Sequence, residues 1–198
     1  MSLSEKVVIV TGSSRGIGKA MAMGLAEAGA FVVVAARSEE SRPMLPGTIH
    51  STVGVIEDAG GKALAVPTNV RDEESIRHLV NRTLDEFGAV DVLINNAGLG
   101  HSQSLLEGET AAWREMLEVN VLALCITCRE AVKDMRSRGD TGHVLHIGSM
   151  AGHRVPAIGG VYVFQLVGSD GLLLSESASV LVTVKSEPVD PNNSPNND

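Results

Sequence analysis

The chain has 198 residues, of which 43% are hydrophobic, and a formal net charge of −8. This length and composition predict one domain with a sizeable core, and the acidic balance argues against nucleic acid or an anionic membrane as a main partner. Apolar runs such as 30–36 are too short to span a bilayer. The first strand pattern begins at Val7, so we expect no signal peptide and a cytoplasmic location.

Short apolar runs alternate with helical patterns as far as residue 148. The apolar runs are rich in β-branched residues, which is typical of strands buried on both faces, and they cover 7–10, 31–36, 63–66, 90–94 and 144–147. The helical patterns cover about 15–28, 48–59, 72–87 and 110–136. This alternation predicts an α/β fold with a Rossmann-type, doubly wound parallel sheet in three layers.

The turn after the first predicted strand contains Gly12, Gly16 and Gly18. Glycines let backbone amides approach a pyrophosphate, and the helix that follows points its positive end at the anion. The spacing is one residue wider than in the usual dinucleotide fingerprint. Because a strand precedes the turn and a helix follows it, we predict a nucleotide site here. The predicted contacts are Gly12, Ser14, Arg15, Gly16, Ile17 and Gly18.

The second predicted strand ends in Ala36 and is followed by Arg37. A carboxylate at this strand end would hold the ribose hydroxyls of NAD, whereas an arginine would face a 2′-phosphate. Arg15, inside the glycine-rich turn, supplies a second cation. We therefore predict NADP(H) in preference to NAD(H), although both side chains as ordinary solvated arginines remain the alternative.

Two residue pairs resemble metal or redox motifs. Cys125 and Cys128 have C-x-x-C spacing, but they fall inside an apolar helical pattern and no second ligand pair accompanies them. We interpret them as buried thiols of a helix. His143 and His146 are three residues apart on a predicted strand, so their side chains face opposite sides. No metal site is predicted.

Asn95-Asn96-Ala97-Gly98 follows the fourth predicted strand, where these residues alone would already make a good turn. Taken with Thr-Gly-x-x-x-Gly-x-Gly at 11–18 and with Asn120, Ser149 and Tyr162, the segment resembles the short-chain dehydrogenase/reductase family. The resemblance runs from residue 5 to about 162 in order and spacing.

The resemblance implies hydride transfer between a nicotinamide and a small carbonyl compound or secondary alcohol. Tyr162 would pass the proton, Ser149 would hold the substrate oxygen, and Asn120 would hold a water that leads to the family's lysine. By the same resemblance the cofactor would also contact Asn69, Val70, Asn96, Ala97 and Gly98. Segments 42–49 and 60–64 look similar to a hydroxysteroid- or citronellol-dehydrogenase-like branch. Segment 129–155 looks closer to branches that reduce terpenoid or steroid-like ketones, so the substrate is open.

The pattern departs from the family after Tyr162. Leu166 stands where the family has lysine, and Lys185 is the only lysine further along. We expect a dinucleotide-binding domain at 1–162, a divergent β-like segment at 163–185 and a disordered tail at 186–198, so that the fold and any homo-oligomer interface are incomplete on the C-terminal side. Two interpretations follow: an NADP(H)-dependent oxidoreductase, or a catalytically impaired nucleotide-binding or interaction protein arising from truncation, frameshift or splicing.

Overall fold

The computed structural model describes residues 3–43, 46–101, 103, 106–139 and 142–149. The strands are β1 (Val7–Thr11), β2 (Phe31–Ala36), β3 (Lys62–Pro67), β4 (Val92–Asn95) and β5 (His143–His146). The helices are α1 (Gly16–Glu27), α2 (Ile49–Asp58), α3 (Glu73–Phe87), α4 (Thr110–Leu117) and α5 (Ala123–Ser137). A π-helical segment, Glu118–Leu122, joins α4 to α5 and is called the π turn below.

The five described strands form one parallel sheet in the order β3-β2-β1-β4-β5. The chain runs outward from β1 to β3 and then crosses back to β4, so the strand order reverses between β1 and β4. In open α/β sheets ligands bind in the crevice outside the carboxyl ends of the strands at such a reversal. The predicted doubly wound parallel sheet is confirmed.

Helices cover both faces of this sheet and make the predicted three layers. On one face α1 and α2 pack on side chains that alternate along the central strands, including Val8, Val10, Val32 and Val34. On the other face α3 and α5 pack on Ile9, Val33, Val66 and Leu93. Strands buried on both faces read as continuous apolar runs, which is why their sequence signal is strong.

The helix ends follow local sequence chemistry. Gly29, with φ +90°, comes directly after the C-cap of α1 at Ala28, as expected of a residue that must adopt the left-handed conformation. Asp72 caps α3 by accepting the Glu74 N–H at 3.0 Å, and Glu73 and Glu74 give the helix an acidic first turn, which favours its positive end.

The largest difference from the predicted elements lies at 110–136, where one helix was expected. The π turn divides it, because the segment must bury Val119 and Ala123 while Asn120 bonds to the backbone of Leu99. An extra residue in a helical turn changes which side chains face the sheet. The spacing of apolar residues on either side of the π turn is still typical of a helix, so the sequence does not reveal the break.

The prediction that both cysteines are buried is wrong for Cys125, which is exposed, whereas Cys128 is half-buried. The buried stripe of α5 runs through Ala123, Thr127, Ala131 and Met135, and residue 125 lies two positions off it, on the outer face. On β5, His143 is exposed and His146 is turned toward α5, so the two histidines face opposite sides as predicted.

Tyr162, Leu166 and both predicted C-terminal segments, 163–185 and 186–198, lie outside the described residues.

Candidate functional site

The glycine-rich turn is closely packed at two of its glycines and open at the third. Gly12 has φ +70°, and a Cβ there would lie 2.9 Å from Ala97 Cα. A Cβ on Gly18 would lie 2.4 Å from Gly12 O and 2.5 Å from Asn96 Nδ2. Gly16 has φ +56° and no atom within 4 Å of the place a Cβ would take. The turn therefore packs against neighbouring protein atoms at Gly12 and Gly18, and it faces open space at Gly16.

Thr11 and Asn96 fasten this turn to the end of β4. Thr11 Oγ1 accepts the backbone N–H groups of Asn96 and Ala97, each at 3.0 Å, and donates to Ile94 O at 3.4 Å. Asn96 Nδ2 donates to Thr11 O at 2.9 Å and to Gly12 O at 3.2 Å. The predicted cofactor residues Gly12, Asn96 and Ala97 thus form one hydrogen-bonded unit.

Ser13 and Ser14 are buried under the turn. Ser13 Oγ donates to Val10 O at 2.6 Å and accepts the Ala35 N–H at 3.0 Å, so the turn is also fixed to β2. The carbonyl of Ser14 faces α2, where it accepts from Thr52 Oγ1 at 3.4 Å. Ile17, on the first turn of α1, is 68% exposed and lies beside the open glycine.

Arg15 reaches from the glycine-rich turn to the carboxyl end of β2. Its Nη2 donates to Ser38 Oγ at 2.9 Å and to Gly47 O at 2.8 Å. Its Nε is buried and has no hydrogen-bond partner within the described part of the chain. Arg37 directly follows β2 and is exposed. Two cations therefore lie at this strand end, and one of them carries an unused donor.

Asn69 and Val70 follow β3 at the same edge of the sheet. Asn69 Oδ1 accepts the Arg71 N–H at 3.2 Å, and the Asn69 N–H donates to Ser75 Oγ at 2.9 Å. These bonds hold a compact turn, which we call the β3 loop (Asn69, Val70 and Arg71). Asn69 is exposed and Val70 half-buried.

Asn120 holds the backbone that continues from the Asn96-Ala97-Gly98 segment. Its Nδ2 donates to Leu99 O at 2.7 Å and its Oδ1 accepts the Leu99 N–H at 2.9 Å. A Cβ on Gly98 would lie 3.6 Å from Asn120 Oδ1. Both ends of the side-chain amide are bonded to the backbone of one residue, Leu99, so Asn120 fixes the path of the chain after β4.

A polar cluster lies beneath the ends of β4 and β5, which we call the Asn95 cluster (Asn95, Thr127, Cys128 and His146). Thr127 Oγ1 donates to Asn95 Oδ1 at 2.7 Å. Asn95 Nδ2 lies 3.5 Å from Cys128 Sγ and 3.3 Å from His146 Nδ1, and Cys128 Sγ lies 3.9 Å from His146 Nε2. Burial raises the pKa of the Cys128 thiol and lowers the pKa of His146, so both groups are held neutral.

Ser149 follows β5 and is exposed. The Ile147 N–H donates to Asn95 O at 2.9 Å, which extends the β4–β5 pairing toward Ser149. Tyr162, the predicted proton donor, lies outside the described residues. The structure thus brings the predicted residues of the glycine turn, β2, β3 and β4 to one edge of the sheet, with Ser149 following β5.

Sequence reasoning assigned no role to several residues that shape this edge, although Thr11 and Asn95 belong to its motifs: Thr11, Ser13, Ser38, Gly47 and Asn95. Small polar residues at strand ends were the available signal for Thr11, Ser13 and Asn95, since buried hydroxyl and amide groups require partners. Nothing in the sequence signals that Gly47 O receives Arg15, because Gly47 follows a loop and its φ of +103° is a tertiary feature.

These residues fit a dinucleotide. An open glycine at a helix N-terminus leaves room for a phosphate and offers backbone N–H donors. Arg15 adds a cation whose Nε still lacks an acceptor.

Within residues 3–43, 46–101, 103, 106–139 and 142–149, no group of three His, Cys, Asp or Glu residues is arranged to hold a metal ion. Over the same residues no helix is long and apolar enough to cross a membrane.

Comparison with curated proteins gives matches of similar extent. Dehydrogenase/reductase SDR family member 11 of Bos taurus is 40% identical over 155 residues, which are 77% of this chain and 58% of that protein. Hydroxysteroid dehydrogenase-like protein 2 of Bos taurus is 38% identical over 145 residues, which are 73% of this chain and 34% of that protein. The chain thus spans 58% and 34% of the lengths of these two relatives.

Solved structures show the same likeness. A short-chain type dehydrogenase/reductase from Mycobacterium marinum aligns with TM-score 0.72 and 31% identity, covering 79% of this chain and 60% of that one. A short chain dehydrogenase from Mycobacterium avium aligns with TM-score 0.69 and 31% identity, covering 77% and 55%. The profile of the short chain dehydrogenase family matches residues 6–163. On these matches, and with this sheet and glycine turn, the chain belongs to the short chain dehydrogenase family.

Proposed function

We propose that the chain binds NADP(H) at the carboxyl edge of its sheet and serves hydride transfer between the nicotinamide and a small carbonyl compound or secondary alcohol. The observation that carries the cofactor choice is Arg15, whose guanidinium bonds to Ser38 at the end of β2 and keeps a buried Nε without a partner. The residue directly after β2 is Arg37 rather than an acid. A 2′-phosphate at that strand end would meet two cations.

Titration calorimetry of the full chain with NADPH and with NADH tests this choice. A charge-assisted contact to phosphate contributes about 1.5–3 kcal/mol, so we expect NADPH to bind roughly tenfold more tightly or better. Arg37→Asp should reverse the preference, because a carboxylate repels the phosphate and accepts from ribose hydroxyls. Arg136→Ala is the matched control, since this exposed arginine lies in the last turn of α5. Equal affinities for the two cofactors would contradict the proposal.

Bound NADPH would supply the hydride to a carbonyl compound, or bound NADP+ would accept it from a secondary alcohol, and side chains would orient the substrate and exchange the proton. Ser149, exposed after β5, would hold the substrate oxygen. Tyr162, thirteen residues further on, would exchange the proton. Asn120 would act through the Leu99 backbone that it holds, and through a water as the family resemblance implies. The proposed substrate is a small molecule, and the proposed compartment is the cytoplasm. Assembly into a homo-oligomer stays a prediction.

A second candidate function rests on Leu166, which stands four residues after Tyr162 where the family has lysine. A phenol has a pKa of about 10, so without a cation it is a poor base near neutral pH. A loss of three pKa units of help would cost about 4 kcal/mol, or roughly a thousandfold in rate. In this reading the chain binds NADP(H) but turns over negligibly.

NADPH oxidation with a panel of ketones and aldehydes separates the two candidates, with Tyr162→Phe as the blank. The impaired protein should show activity only as pH rises toward the phenol pKa. Leu166→Lys alone should restore little, whereas a family-like continuation in place of residues 163–198 should restore more. Ordinary turnover at neutral pH, abolished by Tyr162→Phe, would favour the active oxidoreductase.

A further inference from the structure

Arg71, which the cofactor motifs do not include, joins two separate parts of the sheet's carboxyl edge. Its Nη1 donates to Glu115 Oε1 at 2.8 Å, and its Nε donates to Glu118 Oε2 at 2.9 Å. A second nitrogen, Nη2, lies 2.7 Å from the same Glu118 oxygen. One planar guanidinium therefore holds two carboxylates, an arrangement for which arginine is suited and lysine is not.

On one side of this contact is the β3 loop. The backbone N–H of Arg71 is itself fixed by Asn69 Oδ1 at 3.2 Å, and the Asn69 N–H is fixed by Ser75 Oγ at 2.9 Å. These bonds tie the backbone of Arg71 to Asn69 and the backbone of Asn69 to α3, so the arginine side chain starts from a hydrogen-bonded turn that also contains Val70. By the family resemblance, Asn69 and Val70 are among the predicted cofactor contacts.

On the other side is the π turn. Glu115 lies in the last turn of α4, and Glu118 is the first residue of the π turn, two residues before Asn120. Asn120 holds the Leu99 backbone through two hydrogen bonds of 2.9 and 2.7 Å. His101 also contacts α4, with Nε2 3.0 Å from Glu115 Oε2 and its backbone N 3.4 Å from Met116 Sδ, so both Leu99 and His101 are bonded to the segment that Arg71 contacts.

We propose that Arg71 is a positioning residue that sets the spacing between the β3 loop and the π turn, and through Asn120 the path of residues 96–99 along the cofactor site. The proposal rests on the proposed function, since it assumes a dinucleotide bound along this edge. Arg71 itself need not touch the ligand. It acts by holding the β3 loop and the π turn at a fixed spacing before the cofactor binds. This lowers the entropy cost of ordering the site on binding.

The expected effect is moderate because the contact is partly exposed. The side chains of Arg71, Glu115 and Glu118 are 38%, 32% and 44% exposed, and exposed ion pairs are individually weak and screened by salt. A guanidinium shared by two carboxylates is stronger than one such pair. We expect Arg71→Ala to weaken NADPH binding about three- to tenfold at low ionic strength, with less loss at high salt.

Arg77 gives a matched control. It also pairs with two glutamates, Glu73 and Glu74, and its side chain is 47% exposed. It lies within α3 and has no contact with the β3 loop or the π turn among the contacts of the described residues. Arg77→Ala should therefore lose comparable surface ion pairs without changing NADPH affinity. Arg71→Lys should recover only part of the loss, because one ammonium cannot bond to both carboxylates with a fixed geometry.

The measurements are the NADPH dissociation constant of the full chain by fluorescence titration, its melting temperature without ligand, and the hydrogen-exchange rate of the Leu99 amide. Arg71→Ala should weaken binding and speed exchange at Leu99, while its melting temperature stays close to that of Arg77→Ala. Equal affinity losses in both variants, or unchanged Leu99 exchange in Arg71→Ala, would overturn the proposal. If the wild-type chain binds no NADPH, the proposed function fails and the Leu99 exchange rate still decides whether Arg71 positions the π turn.

Discussion

The two halves of the candidate site are held together in different ways. The glycine-rich turn is fixed by backbone carbonyls and small buried hydroxyls: Thr11, Ser13 and Ser14 are at most 4% exposed, and a Cβ on Gly18 would meet atoms at 2.4–2.5 Å. The side toward β5 is held by the Asn95 cluster, with separations of 3.3–3.9 Å around His146, and β5 has exposed apolar side chains at Leu145 (44%) and, just past its end, Ile147 (39%).

This contrast predicts different sensitivities. A close-packed turn made of backbone atoms has nowhere to move, so one added methyl group should disrupt it. A looser cluster that contains an imidazole and a thiol can tolerate shape changes but responds to protonation, because a charge there would be poorly solvated. Added side-chain volume should therefore destabilise the glycine-rich turn more than the β5 side. A change of pH should affect the β5 side more than the glycine-rich turn.

Gly18→Ala should have the largest effect on the glycine turn. The new Cβ would be pressed against Gly12 O and Asn96 Nδ2, and the carbonyl can retreat only by breaking the turn. We expect a loss of about 2–3 kcal/mol in the free energy of unfolding, together with loss of NADPH binding. Urea denaturation and calorimetry would measure the two effects.

Gly24→Ala is the matched control on the same helix. Nothing lies within 4 Å of its Cβ position, and alanine is favoured over glycine within a helix by about 0.5–1 kcal/mol. This variant should be as stable as the wild type or more so and should bind NADPH normally. A Gly18→Ala protein that behaves like Gly24→Ala would show that the turn is more adaptable than its packing implies.

Thr11→Val should have the next largest effect, because it removes the hydroxyl that fastens the glycine-rich turn to the end of β4. Valine keeps the shape of threonine but leaves the N–H groups of Asn96 and Ala97 without the acceptor they share at 3.0 Å. An unsatisfied buried donor costs about 1–3 kcal/mol. We expect about 2 kcal/mol of destabilisation by urea denaturation, whereas Thr11→Ser, which retains the hydroxyl, should lose less than 1 kcal/mol.

The sequence predicts an element well when its limits are set by the residues of that element alone, and less well when a contact with a distant residue sets them. The run at 31–36 is β2 to the residue, since a β-branched run buried on both faces has clear limits. The prediction for 90–94 began two residues early, at Val90, because Asp91 is not part of β4 and its carboxylate instead accepts the Val7 N–H at 2.9 Å. Such a contact joins residues far apart in the chain.

The candidate site shows the same division. The sequence predicts a glycine-rich turn between β1 and α1, and the structure has one there, with positive φ at Gly12 and Gly16 and no room for a Cβ at Gly12 or Gly18. The π turn could not be predicted, because the helical apolar pattern continues on either side of it and the Asn120–Leu99 bonds that accompany it join residues far apart in the chain. The bonds of Arg15 to Ser38 and Gly47 and of Arg71 to two glutamates depend on side-chain rotamers, which composition and spacing do not encode.

The smallest expected effect concerns pH at the β5 side. Burial lowers the pKa of His146 below its ordinary value, so in the pH range between the folded-state and unfolded-state pKa the unfolded chain binds more protons. The stability that comes from neutral His146 is complete above the unfolded pKa of about 6.5 and is lost as pH falls through the folded pKa. Asn95 supports the neutral form, because its amide group lies 3.3 Å from Nδ1 as a donor while its oxygen accepts from Thr127.

Replacing His146 with glutamine should flatten this part of the stability profile. Urea denaturation at a series of pH values from 7.5 downward would compare the slope for His146→Gln with that for the wild type and for His143→Gln. His143 is the matched control, since it lies on the same strand and its side chain is exposed. We expect the wild type and His143→Gln to lose stability together on acidification, and His146→Gln to lose less. Parallel slopes in all three proteins would mean that the Asn95 cluster does not hold His146 neutral. The prediction that the β5 side is the pH-sensitive region would then be wrong.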